Sequence, residues 1–545
     1  MNSSGSRDLS LAAGASAKLW ELPAHELARL IAKRELSAVE VVREHIARIE
    51  EMNPKLNAVV CKRYEAAVKE ATEADRRLAQ GEAPKPLHGV PVSIKESLDL
   101  AGTASTVGLA SRKDTLANTT DLHVARLREE GAIVLCKTNV AQMLVYMESD
   151  NPLYGRSNNP WDLERTPGGS SGGEAAIVAA GGVALGLGTD IGGSIRCPAS
   201  FCGIYGLKPT TGRCTDVGRY SIPVGQRAIT SQVGPFGRTV KDVATALEII
   251  NGGAMPECVP SRALADYRSV ELDQLRIAWF VDDGDLPASP AARRAVREAA
   301  DVLKAAGARV TPWQPPDIRS AIKIFYGLLA ADGMRSMRGV AQGNRLDPRV
   351  KRLMISTAIP RPGLALLRTL LSFVGQRRLA ELLDAFGFVG THHYWRFVDE
   401  QSHYQDRFVQ ALDQHDAGGP FDAILCPSFA VPALRHGASA DIGLGGAYVL
   451  LANLLGWPAG SAPFTRVRAD EETDRAPSSD LIERAARNSE FGSRGLPIGV
   501  QVIARPWCEH IVLGVMRALE EAQSGASDYP CRPGLVMSQA AVRQR

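Results

Sequence analysis

Two glycine-rich segments carry the serines that are best placed for chemistry. Ser170 lies in the run Gly168–Gly173, and Ser194, 24 residues further on, lies in the run Gly188–Arg196. A serine hydroxyl becomes a nucleophile when a neighbouring base takes its proton, and acyl transfer also needs backbone N–H groups where the oxyanion forms. Glycines leave such N–H groups accessible and permit unusual dihedral angles. The two segments therefore predict a serine-dependent acyl-transfer site.

Lys95 is the candidate base. Val90, Val92 and Ile94 alternate along the chain before it, and this period of two predicts a strand that delivers Lys95 at its end. Lys95 precedes Ser170 by 75 residues, so only the fold can bring the two together. A lysine has an ordinary pKa of about 10.4 and acts as a base near neutral pH only if burial lowers that pKa. We therefore expect Lys95 to be buried.

The same glycines allow other interpretations. Gly168–Gly173 has the composition of a flexible linker, but it leads directly into Glu174–Ala180, which predicts a buried helix. A phosphate site there is disfavoured because Glu174 would repel phosphate. The pattern Gly-x-Ser171-x-Gly also matches the nucleophile elbow of α/β-hydrolases, with Ser171 as nucleophile and a distant histidine as base. That interpretation leaves the second serine segment and the lysine without a role.

The elements that must position these residues alternate between helices and strands. Ser37 and Glu40 have the spacing of a capping box, which starts a helix predicted to end at Asn53–Pro54. Leu275–Phe280, Pro290–Ala306 and Arg309–Thr311 predict a strand, a helix and a strand in succession. This alternation predicts an α/β fold layered around a mixed or parallel sheet.

The overall composition is that of a globular enzyme. The chain has 545 residues, of which 45% are hydrophobic and 23% charged, and its net charge of +3 indicates no nucleic-acid-binding surface. Nine cysteines without Cys-x-x-Cys spacing favour reduced thiols and a cytoplasmic location. The histidines show no metal-ligand spacing, so we expect no metal. Residues 1–17 have neither a charged region nor the apolar run of a signal peptide and predict a loose tail.

One later segment, residues 349–380, is basic and apolar at once. It contains seven basic residues and no acidic residue before Glu381: Arg349, Lys351, Arg352, Arg361, Arg368, Arg377 and Arg378. Its middle part, Pro362–Gly375, is nearly all apolar but too short to span a bilayer. An apolar helix with basic flanks is typical of peripheral contact with an anionic membrane. A core helix or a homodimer interface remains an equally good interpretation.

Taken together, these blocks resemble the amidase signature family of serine hydrolases, and more closely its fatty acid amide hydrolase branch. The longest matching block runs from Thr166 through both serine segments to Pro209. Further matches are Gly89–Val92 before Lys95, Thr138–Val140, Asn151–Gly155, Trp457–Gly460 and Gly495–Gln501. The resemblance spans about residues 20 to 525.

The resemblance implies a single α/β domain over residues 18–525, with a mixed, twisted central sheet covered by helices on both faces. Residues 1–17 and 526–545 are then flexible tails. A mainly helical insertion over about 312–420 is expected to shape the substrate entrance, as a hydrophobic helical cap does in the lipid branch.

For the site, the resemblance implies a Ser-Ser-Lys relay without a cofactor. Ser194 attacks the amide carbonyl, and Ser170, preceded by a cis peptide, passes the proton to neutral Lys95. The N–H groups of Ile191, Gly192, Gly193 and Ser194 are expected to form the oxyanion hole. Leu144 and Val145 match positions that line the acyl pocket.

The chain is thus predicted to be a serine amidase that hydrolyses carboxylic amides with a hydrophobic, fatty acyl group. Matches at Asn151–Gly155, Glu174, Phe201–Gly203 and Arg505–Trp507 favour the lipid branch. The three relay residues are shared with glutamine amidotransferase subunits, aryl acylamidases and peptide amidases, so these functions remain alternatives. The expected partner is a small-molecule amide, and no nucleic acid is expected.

Overall fold

The computed structural model describes residues 18–215, 219–220, 225–252, 262–383, 385–386, 389–414, 418–472 and 474–530. The predicted tail 1–17 and most of the predicted tail 526–545 lie outside the described residues. The division of the chain into a single domain with a helical insertion stays a prediction.

Eleven strands of the described chain form one mixed sheet, and two short strands form a separate hairpin. The strands are β1 (Val59–Lys62), β2 (Pro91–Lys95), β3 (Ile133–Thr138), β4 (Asp150–Asn151), β5 (Gly155–Arg156), β6 (Leu185–Asp190), β7 (Tyr205–Lys208), β8 (Gln232–Gly237), β9 (Arg276–Trp279), β10 (Arg309–Pro312), β11 (Ala423–Pro427), β12 (Ala459–Arg466) and β13 (Pro497–Ala504). The order in the large sheet is β1-β3-β2-β6-β8-β7-β12-β13-β11-β9-β10. The central strand β2 is parallel to both β3 and β6, whereas β6 and β8 are antiparallel.

The helices of the described chain surround this sheet. They are α1 (Ala24–Ala32), α2 (Ala38–Leu56), α3 (Tyr64–Ala79), α4 (Leu122–Glu129), α5 (Gly172–Ala179), α6 (Arg196–Cys202), α7 (Val240–Asn251), α8 (Pro290–Ala305), α9 (Ile318–Leu329), α10 (Arg335–Ala341), α11 (Pro348–Ser356), α12 (Arg361–Phe373), α13 (Arg377–Leu383), α14 (Thr391–Asp413), α15 (Ala447–Leu455), α16 (Leu481–Glu490) and α17 (Glu509–Gln523). Every residue of β2, β3 and β6 is buried, so both faces of the sheet centre are covered. The predicted α/β class with a mixed central sheet is confirmed.

Local sequence signals explain several of these elements. The Ser37 side chain accepts a hydrogen bond from Glu40 N at 3.0 Å and caps α2. The predicted end of α2 at Asn53–Pro54 is wrong, because the helix continues to Leu56 with Pro54 in its last turn. Proline removes only its own N–H donor there, which costs one bond near the helix end. The predicted strand, helix and strand after residue 275 are confirmed as β9, α8 and β10, with the two strands parallel.

Three neighbouring elements present the candidate residues at the centre of the sheet. β2 ends at Lys95, as its alternating pattern predicts. β6 ends at Asp190 and runs into the Gly192–Ser194 turn, and the Ser170 segment leads into the fully buried helix α5. The helices α9 to α13 follow β10 and contribute much of the wall of the cavity above this centre.

Candidate active site

Lys95, Ser170 and Ser194 form a continuous hydrogen-bonded chain. Lys95 Nζ lies 2.8 Å from Ser170 Oγ, and Ser170 Oγ lies 3.1 Å from Ser194 Oγ. Both distances are suitable for proton transfer between adjacent groups. The fold therefore brings together three residues that the sequence places in separate segments.

Lys95 is fully buried, and this burial governs its charge. Burial lowers the pKa of Lys95 from its ordinary value to about 7, against the nearby carboxylates of Asp190 and Glu174, which act to raise it. Lys95 Nζ also lies 2.8 Å from Thr189 Oγ1 and 3.3 Å from Thr189 O. A neutral amine can donate to Thr189 and still accept the proton of Ser170. No sequence signal marks Thr189 as part of the site, although it lies within the second serine segment.

Asp190 and Arg196 hold the Ser194 turn in place. Arg196 Nε and Nη2 donate to the two oxygens of the Asp190 carboxylate, each at 3.0 Å, with both side chains buried. Although burial acts to raise the pKa of Asp190, the charge and hydrogen bonds of Arg196 hold it well below its ordinary value. Gly193 adopts a φ of 99°, and a Cβ there would clash with Val449. A glycine is therefore required immediately before Ser194.

The predicted oxyanion donors differ in their availability. Gly193 N donates to Asp190 Oδ1 at 2.7 Å and is engaged in bracing the turn. Among the described residues, none accepts a hydrogen bond from the N–H groups of Ile191, Gly192 or Ser194. These three N–H groups are the ones available to an oxyanion.

Ser170 follows a cis peptide bond between Gly169 and Ser170, as the resemblance implies. A Cβ on Gly169 would clash with the amide of Glu148 and lie 2.5 Å from Tyr146 O. Glycine at position 169 thus permits close contact between the Ser170 segment and the loop that follows β3.

Ser171 is not placed to act as a nucleophile. Its hydroxyl is buried and donates to Thr189 O at 3.2 Å, and the residue does not line the cavity that contains Ser170 and Ser194. This placement disfavours the α/β-hydrolase elbow interpretation. The glycines around Ser171 serve the close packing of α5: a Cβ on Gly173 would lie 2.6 Å from both Asn139 N and Asn139 O.

Glu174, whose charge disfavours a phosphate site, is part of a buried polar cluster beneath the site. It accepts hydrogen bonds from the hydroxyls of Ser93 and Thr138. Burial raises the pKa of Glu174 to about 7, against these hydrogen bonds. Glu174 thus titrates in the same pH range as Lys95.

Ser170 and Ser194 open into a cavity of about 740 Å³ whose walls are mostly apolar. Leu144 and Val145 line it, as predicted, on the loop that follows β3. The region after β10 supplies further apolar side chains: Phe325, Leu329, Met334, Met337, Leu371, Leu379, Leu382 and Phe386. This volume lies within the range of pockets that bind small organic ligands.

The basic and apolar segment 349–380 has two distinct faces. Leu366, Leu370 and Phe373 on α12 are 64%, 54% and 89% exposed, whereas Leu371 lines the cavity. Since α12 buries only Leu364, it is not a core helix.

Basic residues of the segment that pair with carboxylates are Arg349, Arg352, Arg377 and Arg378. None of the described helices is long and apolar enough to cross a membrane.

Comparison with known proteins identifies the family. The family model named Amidase matches residues 40–513. The chain is 33% identical over 519 residues to fatty-acid amide hydrolase 1 of Sus scrofa, covering 93% of this chain and 86% of that protein. It is 31% identical over 522 residues to a glutamyl-tRNA(Gln) amidotransferase subunit of Carboxydothermus hydrogenoformans, covering 92% of this chain and 98% of that protein.

A solved structure titled fatty acid amide hydrolase superposes with a TM-score of 0.77 and 26% identity, covering 92% of this chain and 85% of that one. The chain belongs to the amidase signature family. It is an amide hydrolase.

Proposed function

We propose that this amidase hydrolyses carboxylic amides with a hydrophobic, fatty acyl group through an acyl-enzyme on Ser194. The observation that carries the proposal is the hydrogen-bonded chain from Lys95 through Ser170 to Ser194, which opens into a large apolar cavity. The hydrogen-bonded residues provide a nucleophile and its base, and the cavity provides the apolar binding surface.

In the proposed mechanism, neutral Lys95 accepts the proton of Ser170 as Ser170 accepts that of Ser194. Ser194 Oγ then attacks the amide carbonyl carbon and forms a tetrahedral intermediate. The proton returns through Ser170 to the amide nitrogen, the C–N bond breaks and the amine leaves. Water, activated by the same relay, hydrolyses the ester on Ser194 and regenerates the enzyme.

The developing oxyanion would accept hydrogen bonds from the N–H groups of Ile191, Gly192 and Ser194. Such preorganised donors stabilise the charge because they need no reorganisation during the reaction. Gly193 would contribute indirectly, since its N–H group braces the turn through Asp190.

The acyl group would lie along Leu144, Val145 and the side chains of α9 to α13. We expect kcat/KM to rise with acyl chain length, since each buried CH₂ contributes about 0.8 kcal/mol, or about fourfold. The measurement is a series of amides of one amine with acyl chains from acetyl to long-chain. A series without chain-length preference would contradict the fatty acyl assignment.

A charge in the acyl wall tests the same assignment. Val145→Asp is expected to lower kcat/KM for a long-chain amide while sparing a short one, because a carboxylate in an apolar pocket remains desolvated. Ile355→Asp is the matched control, since Ile355 is 60% exposed and lies outside the cavity lining. Equal losses for both amides would place Val145 outside the acyl pocket.

A glutamine amidotransferase subunit is the second candidate, favoured by the similarity to the Carboxydothermus protein over 98% of that protein's length. Assaying the purified chain against glutamine and a long-chain amide separates the two. Faster release of ammonia from glutamine would support the amidotransferase function.

We also propose a cytoplasmic location with peripheral membrane contact through 349–380, where the exposed apolar face of α12 supports contact with lipid. The double variant Leu370→Ser/Phe373→Ser is expected to weaken binding to anionic phospholipid vesicles at least about tenfold, since each side chain contributes about 1.5–3 kcal/mol when buried. Co-sedimentation measures this.

Leu116→Ser is the control, since Leu116 is 56% exposed outside this segment. If the double variant Leu370→Ser/Phe373→Ser binds vesicles as the wild type does but no longer forms a dimer that the wild type forms, the exposed face of α12 is a homodimer interface instead.

A further inference from the structure

Arg349, at the start of α11, lies in a buried cluster of charges rather than on a surface that meets lipid. Its Nη1 lies 2.5 Å from Glu148 Oε2 and its Nη2 lies 2.8 Å from Asp150 Oδ2. The Arg349 Nε also donates to Asp347 Oδ1 at 2.8 Å. The side chain of Glu148 is only 1% exposed, so this carboxylate depends on buried partners. One guanidinium therefore joins three carboxylates between α11 and the loop 142–150.

Uncharged hydrogen bonds join the same two segments. Tyr146 Oη donates to Arg349 O at 3.1 Å. Gln142 Nε2 donates to Arg345 O at 3.0 Å, and Gln142 Oε1 accepts from Asp347 N at 2.8 Å. The start of α11 is thus joined to the loop by these uncharged hydrogen bonds as well as by the charges around Arg349.

The opposite side of this loop contacts the Ser170 segment directly. Ser149 N donates to Gly168 O at 3.0 Å, and Ser149 Oγ donates to Ser170 O at 3.2 Å. Ser149 Oγ also accepts from Gly172 N at 2.7 Å. The backbone at 146–148 lies against Gly169 with no room for a side chain. Direct contacts therefore join the segment around Glu148 to the peptide that places Ser170 between Lys95 and Ser194.

We propose that Arg349 is a positioning residue for the reaction. By holding Glu148 and Asp150, it keeps the loop 146–150 against the Ser170 segment, so that docking of α11 and alignment of Ser170 depend on the same contacts. The proposal rests on the assignment of Ser170 as the relay in the proposed function. It gives the helical region a role in the chemical step, in addition to its role as cavity wall.

The test compares Arg349→Lys with Lys351→Met, an exposed position on the same helix. Lysine keeps the charge but cannot pair with several carboxylates in the geometry of a guanidinium. We expect Arg349→Lys to lower kcat for a short, soluble amide about 10- to 100-fold with little change in KM, because small misplacements of reacting groups cost up to about 10²-fold. Lys351→Met is expected to retain wild-type kcat.

Two further measurements separate positioning from simple loss of folding. Tyr146→Phe removes one hydrogen bond to Arg349 O without changing any charge. We expect it to lower kcat by a smaller factor than Arg349→Lys does. The rate at which a fluorophosphonate labels Ser194 should fall in parallel in both variants, while circular dichroism and Tm show folded protein.

Wild-type kcat and labelling rate in folded Arg349→Lys and Tyr146→Phe would overturn the proposal. A rise in KM for long-chain amides alone would also overturn it, because Arg349 would then act only on the cavity wall. Labelling does not depend on the acyl group hydrolysed, so it distinguishes failure of this proposal from failure of the fatty acyl assignment.

Discussion

Ser194→Ala is expected to abolish amide hydrolysis while leaving the fold intact. The change removes only the Ser194 hydroxyl oxygen, which is hydrogen-bonded to Ser170 Oγ. Loss of a nucleophile lowers kcat on the order of 10⁴- to 10⁶-fold. The measurements are the rate of amide hydrolysis and fluorophosphonate labelling, with the adduct mapped by mass spectrometry. We expect the adduct on Ser194 in the wild type and none in the variant.

Ser171→Ala is the matched control for this experiment. It removes a neighbouring buried hydroxyl that donates to Thr189 O, so measurable activity and labelling of Ser194 should persist. An adduct on Ser171, or full activity of Ser194→Ala, would refute the relay.

Lys95→Ala is expected to lower kcat on the order of 10⁴-fold and to remove the acidic limb of the pH–rate profile. The base must be neutral to accept a proton, and burial lowers the pKa of Lys95 to about 7. The rate of the wild type should therefore rise with pH up to about 7 and level off above it. A pH–rate profile of kcat measures this for both proteins.

The buried side chains of Glu174 and Lys208 titrate in the same pH range and must be separated from Lys95. Burial raises the pKa of Glu174 to about 7 and lowers that of Lys208 to about 7. Lys208 Nζ donates to Pro209 O at 2.7 Å, and among the described residues it has no hydrogen bond to either relay serine. Lys208→Met should therefore keep the acidic limb of the pH–rate profile. An unchanged limb in Lys95→Ala would assign the titration to another group.

Much of the candidate site could be predicted because its signals are local. The alternation before Lys95 predicts a strand that ends at this residue, and β2 does end there. Gly169, before Ser170, lies too close to a neighbouring backbone segment to carry a side chain. Gly193, before Ser194, has a left-handed φ that few other residues tolerate. That the three residues meet follows only from the resemblance to the family, since nothing local connects positions so far apart.

Other features could not be predicted because they depend on contacts between distant segments. Arg349 has the same local context as the exposed basic residues of 349–380, yet two of its partners, Glu148 and Asp150, lie about 200 positions away in the loop after β3. The apolar run in α12 does not reveal which leucines face the cavity, since nearly every position is apolar. Likewise, no sequence pattern indicates that Gly193 N–H is engaged by Asp190.

The α/β class, the amidase family and the candidate residues Lys95, Ser170 and Ser194 can all be predicted without a structure, because periodicity and glycine-rich turns are properties of neighbouring residues. The lowered pKa of Lys95, the N–H groups of the Ser194 turn left without a partner among the described residues and the buried partners of Arg349 become apparent only in the folded chain. These properties depend on desolvation and on charges brought together by packing, and neither exists until distant parts of the chain are folded against one another.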